Sequence, residues 1–356
     1  MAKTTYGVND ALAVKHWSRK LFQEVIAETY MGRFIGTGKS SLIHRKDETS
    51  KGAGDKVTVG LRMNLGGDGI LGDSTLEGNE EALTTYSDSV LIDQLRHAVR
   101  IGGKMSEQRI PFNARMEAKD GLRDWWADRM DTAFFNHICG NTAVTDLRYT
   151  GNNAIVAPAS GYHFWSEAGT SADEDLDATG DNMALSLVDD LVAEAKTASP
   201  IIRPIKVDGA DKYVMFLHPY QVRDLRQDAA TSGGWSDIQR AAMQGGQITD
   251  NPIYTGAIGE YNGVVFHESN RVTTGVNSST GAAVANVRRA ALCGAQAMHI
   301  AFGQGDGPNK MDWNEELFDY KNQFGVEAGC IYGLKKSVFN SKDFSTLVLS
   351  TYAAAA

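Results

Sequence analysis

Residues 54 to 101 constrain the fold more than any other part of the chain. From Lys56 to Met63, Val57, Val59, Leu61 and Met63 alternate with Lys56, Thr58 and Arg62, the two-residue period of a half-buried strand. A second extended stretch, Thr84 to Ile101, sets Leu95, Val99 and Ile101 against Arg96, Ala98 and Arg100. Between them GGDGILGDSTLEGNEE, residues 66 to 81, has glycines at 66, 67, 69, 72 and 78 and no apolar period. The chain must run out and back as a long hairpin whose tip brings no core of its own.

The tip contains Gly67-Asp68-Gly69-Ile70-Leu71-Gly72, which fits the G-x-G-x-x-G pattern of a dinucleotide-binding turn. The context opposes that reading. STLEGNEE carries no helical apolar stripe, and between Met63 and Leu95 there is no Lys or Arg against seven acids, Asp68, Asp73, Glu77, Glu80, Glu81, Asp88 and Asp93. A phosphate would meet a strongly negative loop. GTGKSS at 36 to 41 resembles the end of a P-loop, but Arg33 stands where its first glycine belongs. Cys139, Cys293 and Cys330 are odd in number and widely separated, so buried thiols are expected, with no disulfide framework or zinc cage. The eight histidines show no metal spacing, and GQGDG at 303 to 307 and the acids at 173 to 177 read as solvated turns, not calcium loops. No catalytic residue, cofactor or metal site is predicted.

Composition bounds the remaining classes. A hydrophobic fraction of 42% and a charged fraction of 22% are those of a folding chain, long enough for about two domains. The formal charge of -9 disfavours tight reading of nucleic acid. No apolar run is long enough for a membrane span and the opening AKTTYGVND has no apolar core, so a soluble intracellular chain is expected.

Helical spacing appears in Ala11 to Met31, in Asn113 to Cys139 and in Met183 to Ala198. In the second, Leu122, Trp126, Met130, Ala133 and His137 line one stripe, Asn113 caps the start and Gly140 closes it, a helix of up to about 40 Å. Residues 141 to 181 read as a polar surface insertion and 229 to 251 as a Gly/Ser/Gln-rich loop. YVMFL at 213 to 217 reads as a buried strand, followed by a helix from Pro219. Further strands are predicted at 263 to 267, 290 to 302, 318 to 326 and 346 to 350. The class is mixed α+β without internal repeat.

FIGTGKSSLI at 34 to 43, GDKVTVGLRMNLGGDGILGDSTLEGNEEAL at 54 to 83, LRDWWADRMDTAFFNHICG at 122 to 140 and IYTGAIGEYNGVVFHESNRV at 253 to 272 follow one another in that order. With them the chain resembles the major capsid protein of tailed double-stranded-DNA bacteriophages, the Hong Kong 97-type fold. The resemblance implies an N-terminal arm over 1–52, an extended β-hairpin called the E-loop over 53–104, and a spine helix with the insertion over 105–182 in the peripheral domain. A mainly axial domain would cover 183–310, with returning peripheral strands, and C-terminal strands 311–356. It further implies a structural protein that self-assembles, as pentamers and hexamers, into an icosahedral shell enclosing packaged double-stranded DNA bound non-specifically. The implied partners are a separate scaffolding protein, a portal protein and a decoration protein, with no membrane. The implied location is the virion capsid, assembled in the host bacterial cytoplasm. An encapsulin-type compartment shell is the alternative within this class, and a nucleotide-dependent enzyme the alternative outside it.

A shell protein needs a surface that reaches a neighbour. Ile70, Leu71 and Leu76 at the hairpin tip are the apolar candidates, and Glu77, Glu80 and Glu81 are expected to face bases of an adjacent subunit. Arg115, Lys119, Arg123 and Arg129 of the long helix are the candidate bases.

Overall fold

The computed structural model describes residues 21–46, 55–111, 113–177, 179–207, 209–227, 259–303 and 311–355. Helix α1 occupies residues 21–28. It is followed by β1 (Ile35–Gly36), β2 (Ile43–Lys46), β3 (Lys56–Arg62), β4 (Thr85–Leu91) and β5 (Asp93–Ile101). Helices α2 (Lys104–Arg109) and α3 (Ala114–Ile138) lead to β6 (His163–Trp165), α4 (Leu185–Thr197), β7 (Ile205–Val207), β8 (Ala210–Leu217) and α5 (Pro219–Gln227). Then come β9 (Gly259–Tyr261), β10 (Val264–Glu268), β11 (Thr274–Val276), β12 (Ala283–Cys293) and β13 (Met298–Phe302). The chain closes with β14 (Met311–Phe318), β15 (Gln323–Lys336), β16 (Val338–Phe339), β17 (Lys342–Asp343) and β18 (Thr346–Tyr352).

Two sheets carry the molecule. The six-stranded sheet runs β1-β2-β13-β15-β14, and β5 joins the other edge of β15, so that Val326 stands between Val99 and Glu315. The eight-stranded sheet runs β6-β18-β12-β8-β10-β9, with β7 on β8 and β11 on β12. Its strands β8, β12 and β18 are buried over near-continuous runs, as strands covered on both faces are. Val188, Leu191, Val192 and Ala195 of α4 and Val222 and Leu225 of α5 share its core with Met215, Leu292 and Leu349.

Helix α3 joins the two halves. Asn113 caps it by accepting the Arg115 N–H at 3.0 Å, and Gly140, at φ 62°, ends it. The predicted stripe is buried, but so are Asp131, Phe134, Phe135, Asn136 and Ile138. The last turns are covered all round. Phe134 and Phe135 meet Phe216 of the larger sheet edge-on at 5.4 and 5.7 Å, while Trp126, further back, meets Tyr332 of the smaller one at 5.9 Å. Asp131 accepts the N–H groups of Tyr30 and Met31 at 2.9 and 3.0 Å, which ties the chain leaving α1 onto α3.

Several sequence readings are corrected. The predicted strand 318 to 326 is two strands around a turn in which Asp319, Tyr320 and Lys321 all take positive φ (49°, 49° and 70°). The stretch 290 to 302 is also two strands, parted where Gly294 passes the Arg203 carbonyl so closely that a Cβ would lie 2.3 Å from its oxygen. The supposed surface insertion buries Asn153, Tyr162 and Asp173, and its β6 pairs with β18. Asp173 is no solvated turn residue, because it binds Arg289 at 2.7 Å inside the protein. Residues 35 to 46 of the arm supply two strands, and the C-terminal segment divides between both sheets. The predicted helix over 11 to 20, the loop at 229 to 251 and residues 304 to 307 lie outside the described residues.

Candidate functional site

The first arm of the hairpin forms as its alternation requires, but the predicted returning stretch is two strands: β4 pairs with β3, whereas Leu95, Val99 and Ile101 lie in β5 and pair with β15. β3 and β4 pair from Lys56↔Leu91 to Arg62↔Thr85, and the Met63 N–H reaches Thr84 O at 3.0 Å. Beyond that the ladder stops. Leu65, Leu71, Leu76 and Leu83 stand exposed, Leu71 at 91% of its surface, and Ile70 is half-buried. Local bonds shape the tip: Asn79 N–H to Leu76 O at 3.0 Å, and Gly78 N–H to Glu80 Oε2 at 2.8 Å. Glu81 crosses it, Oε1 accepting the Gly66 N–H at 2.9 Å and Oε2 the Gly67 N–H at 2.8 Å. These two bonds, Gly66 first, hold the Glu81 carboxyl below its ordinary range, since both favour the charged form. The glycine string does receive an anion, and the anion is the chain's own.

The base of the hairpin is fixed to the body. Val57, Val90 and Ala301 make a small core with Ile92 against them. Asn153 acts as a strand-like clamp, its Oδ1 accepting the Leu91 N–H and its Nδ2 donating to Leu91 O, both at 2.9 Å. Asp88 accepts from Lys335 Nζ and from the Val338 N–H, the latter at 3.2 Å. At Gly333 the backbone of β15 passes so near that a Cβ would lie 1.9 Å from Leu91 O. A rigid root thus carries a tip that buries almost nothing of its own.

Comparison with known proteins gives this arrangement its setting. A family model described as "Phage capsid protein" matches residues 5–355. The chain belongs to the phage capsid protein family. A major capsid protein of Pseudomonas phage KPP25 is 30% identical over 95% of this chain and 94% of its own length. The capsid of Ralstonia phage GP4 superposes with a TM-score of 0.77 at 32% identity, covering 99% of both chains. The cyanophage Pam1 capsid shares the fold at a TM-score of 0.74 and 22% identity, over 93% and 94% of the two chains. The fold of this capsid protein is therefore of the Hong Kong 97 type, mixed α+β.

The structure places the four candidate bases of α3 in contacts within the capsid subunit itself. Arg115 donates through Nε to Glu315 at 2.8 Å and lies over the Phe324 ring. Lys119 is buried on Glu24. Arg123 binds Asp124 at 2.8 Å and Asp120 at 3.5 Å. Arg129 lies over the rings of Tyr149 and Trp125, 4.0 and 5.3 Å from their centroids.

Sequence reasoning missed a groove of mixed charge on the face of β5, β15 and β14 turned away from α3, where Arg96 and Arg100 stand with Glu316 and Glu327. Trp313, Glu315, Val326 and Val99 point toward α3, so the alternate residues Arg96, Arg100, Asn314, Glu316, Phe318 and Glu327 line a groove of about 410 Å³ on the other side. Arg96 is 61% exposed, with Glu327 at 3.6 Å, and Arg100 lies 4.4 Å over the Phe318 ring. The sequence signal was present: Arg96, Ala98 and Arg100 form the polar register of the second predicted strand. All three cysteines are buried, and burial pushes the thiols of Cys139 and Cys293 up. Among the described residues no group of three or more His, Cys, Asp or Glu side chains is placed to hold a metal.

Proposed function

We propose that copies of this major capsid protein build the icosahedral shell of a phage through the hairpin tip, which seats Ile70, Leu71 and Leu76 on an adjacent copy. The observation that carries this reading is the row of exposed leucines on a hairpin held only at its base. Burying each leucine is worth about 1.5 to 3 kcal/mol, a gain the free subunit forgoes. Glu77 stands exposed beside Leu76 and meets a base of the neighbour, whereas Glu80 and Glu81 first shape the tip through Gly78, Gly66 and Gly67. Arg96 and Arg100 are exposed and suit the receiving role better than Lys119, which is buried on Glu24.

Rings of five and six copies, a separate scaffolding protein, a portal protein and a decoration protein complete the proposed assembly. It forms in the host bacterial cytoplasm and ends as the virion capsid. The net charge of -9 supports a wall that encloses double-stranded DNA without clamping it. Negative-stain microscopy of the purified protein, alone and with a scaffolding partner, tests the reading. Closed shells of uniform size are expected from the wild type. A Leu71→Ser/Leu76→Ser variant should keep the circular dichroism spectrum and melting temperature of the subunit and lose the shells; normal shells from it would remove the docking role of the tip.

A further inference from the structure

We propose that Glu81 is a positioning residue that sets the shape of the hairpin tip before it docks, by occupying a backbone N–H cradle formed by Gly66 and Gly67. The inference rests on the reading that the tip docks on a second copy. The geometry is specific. One carboxylate takes two successive N–H groups, one per oxygen, at 2.9 and 2.8 Å, from residues 15 and 14 positions away across the hairpin. Successive N–H groups aimed at one anion make a nest, the device by which glycine-rich turns hold phosphate. Here a side chain fills it, and the same carboxylate draws the two arms of the tip together above the last ladder bond at Met63 and Thr84.

Eighteen residues lie between Arg62, the end of β3, and Glu81, and none of them belongs to an apolar core. Without the Glu81 bridge, only the Asn79–Leu76, Asn79–Thr75 and Gly78–Glu80 bonds remain, all within one arm of the tip. The bridge therefore fixes where Ile70, Leu71 and Leu76 are presented. A neighbour then finds the binding-competent shape already populated, and apparent affinity falls in proportion as that population falls.

Gly67 offers an independent way to break the cradle. A Cβ there would lie 3.0 Å from Glu81 Oε2 and 3.7 Å from Cδ, so alanine at 67 crowds the carboxylate by a few tenths of an ångström and weakens its bonds without removing any acid. The test uses the full chain with Glu81→Ala, Glu81→Gln and Gly67→Ala, and Glu77→Gln as an acid change that spares the cradle. Amide hydrogen exchange over residues 64 to 72 of the unassembled subunit reads the bridge, and light scattering with a scaffolding partner reads shell formation. Glu81→Ala and Gly67→Ala should each exchange about five- to tenfold faster there, and assemble more slowly by a similar factor. Glu81→Gln, with one acceptor oxygen left, should fall between them and wild type, and Glu77→Gln should leave the exchange unchanged. Wild-type exchange in both Glu81→Ala and Gly67→Ala overturns the proposal, as does wild-type assembly by variants that exchange faster. Wild-type protein that forms no shells overturns the docking reading instead, and the exchange result still decides whether the bridge exists.

Discussion

Gly333 and Arg289 show how much of this fold turns on single side chains. A methyl group at 333 would overlap the Leu91 carbonyl, since 1.9 Å is far inside van der Waals contact and the obstacle is backbone. Gly333→Ala must push the root of the hairpin off β15 or bend both strands, at a cost of about 1 to 3 kcal/mol. A urea unfolding midpoint equal to that of the wild type would contradict this. Arg289 donates to Asp173 through Nε at 2.7 Å and to the Gly140 carbonyl through Nη1 at 2.7 Å, so it caps α3 and pins it to β12 at once. Asp173 also accepts from Trp165 Nε1 at 3.0 Å and from the Val276 N–H at 2.8 Å. Arg289→Ala leaves that buried carboxylate without its cation, and a loss of about 3 to 5 kcal/mol is expected in the same measurement. Replacement of an exposed arginine such as Arg96 should cost far less.

At the scale of elements, the turn between β14 and β15 stores strain. Three successive non-glycine residues, Asp319, Tyr320 and Lys321, sit at positive φ, and Tyr320 is fully exposed. Tyr320→Gly removes no contact with the body and relieves a left-handed residue worth about 1 to 2 kcal/mol. A melting temperature raised by a few degrees is expected, and an unchanged or lowered one would show the turn to be unstrained. The same hairpin explains where sequence reading stops. Helices α3 and α4 and strands β3 and β8 follow from periodicity alone, and residues Asn113 and Gly140 mark the ends of α3. Strand β15 does not, because Gly325, Gly329 and Gly333 punctuate its 14 residues and look like breaks. Each is instead a seat: the Phe318 ring lies over Gly325, the Arg96 stem over Gly329, and the Leu91 carbonyl against Gly333. The tip was legible as an exposed apolar and acidic loop. The commitment of Arg115 to Glu315 and of Lys119 to Glu24 was not, since those pairs join residues far apart in the chain.

Across the whole molecule, five histidines share one condition. His137 on α3, His163 on β6, His218 before α5, His267 on β10 and His299 on β13 are all pushed down to about 4, in each case mainly by burial. Nearby cations add to it, Arg289 for His163, Arg288 for His218 and Arg33 for His267, while Asp173 partly offsets it at His163. The sign follows from linkage. The unfolded chain takes up these protons near pH 6.5 and the folded chain near 4, so their stabilising effect is complete above about 6.5 and is lost as pH falls toward 4. Within that window each histidine removes up to about 1.4 kcal/mol per pH unit, so that together they are of the same order as the usual 5 to 15 kcal/mol margin of a folded domain. Asp131 and Asp343, raised by burial, act in the opposite sense, because the folded chain takes up their protons before the unfolded chain does as pH falls. Because the five sit on both sheets and on the helix between them, acid should loosen the subunit as one unit and not peel off the hairpin first. Thermal melts of unassembled protein are expected to be flat from pH 8 to 7, to fall from about 6.5, and to go on falling as pH drops toward 4. A melting temperature that holds steady down to pH 5 would mean that these histidines are protonated, or solvated, in the folded protein.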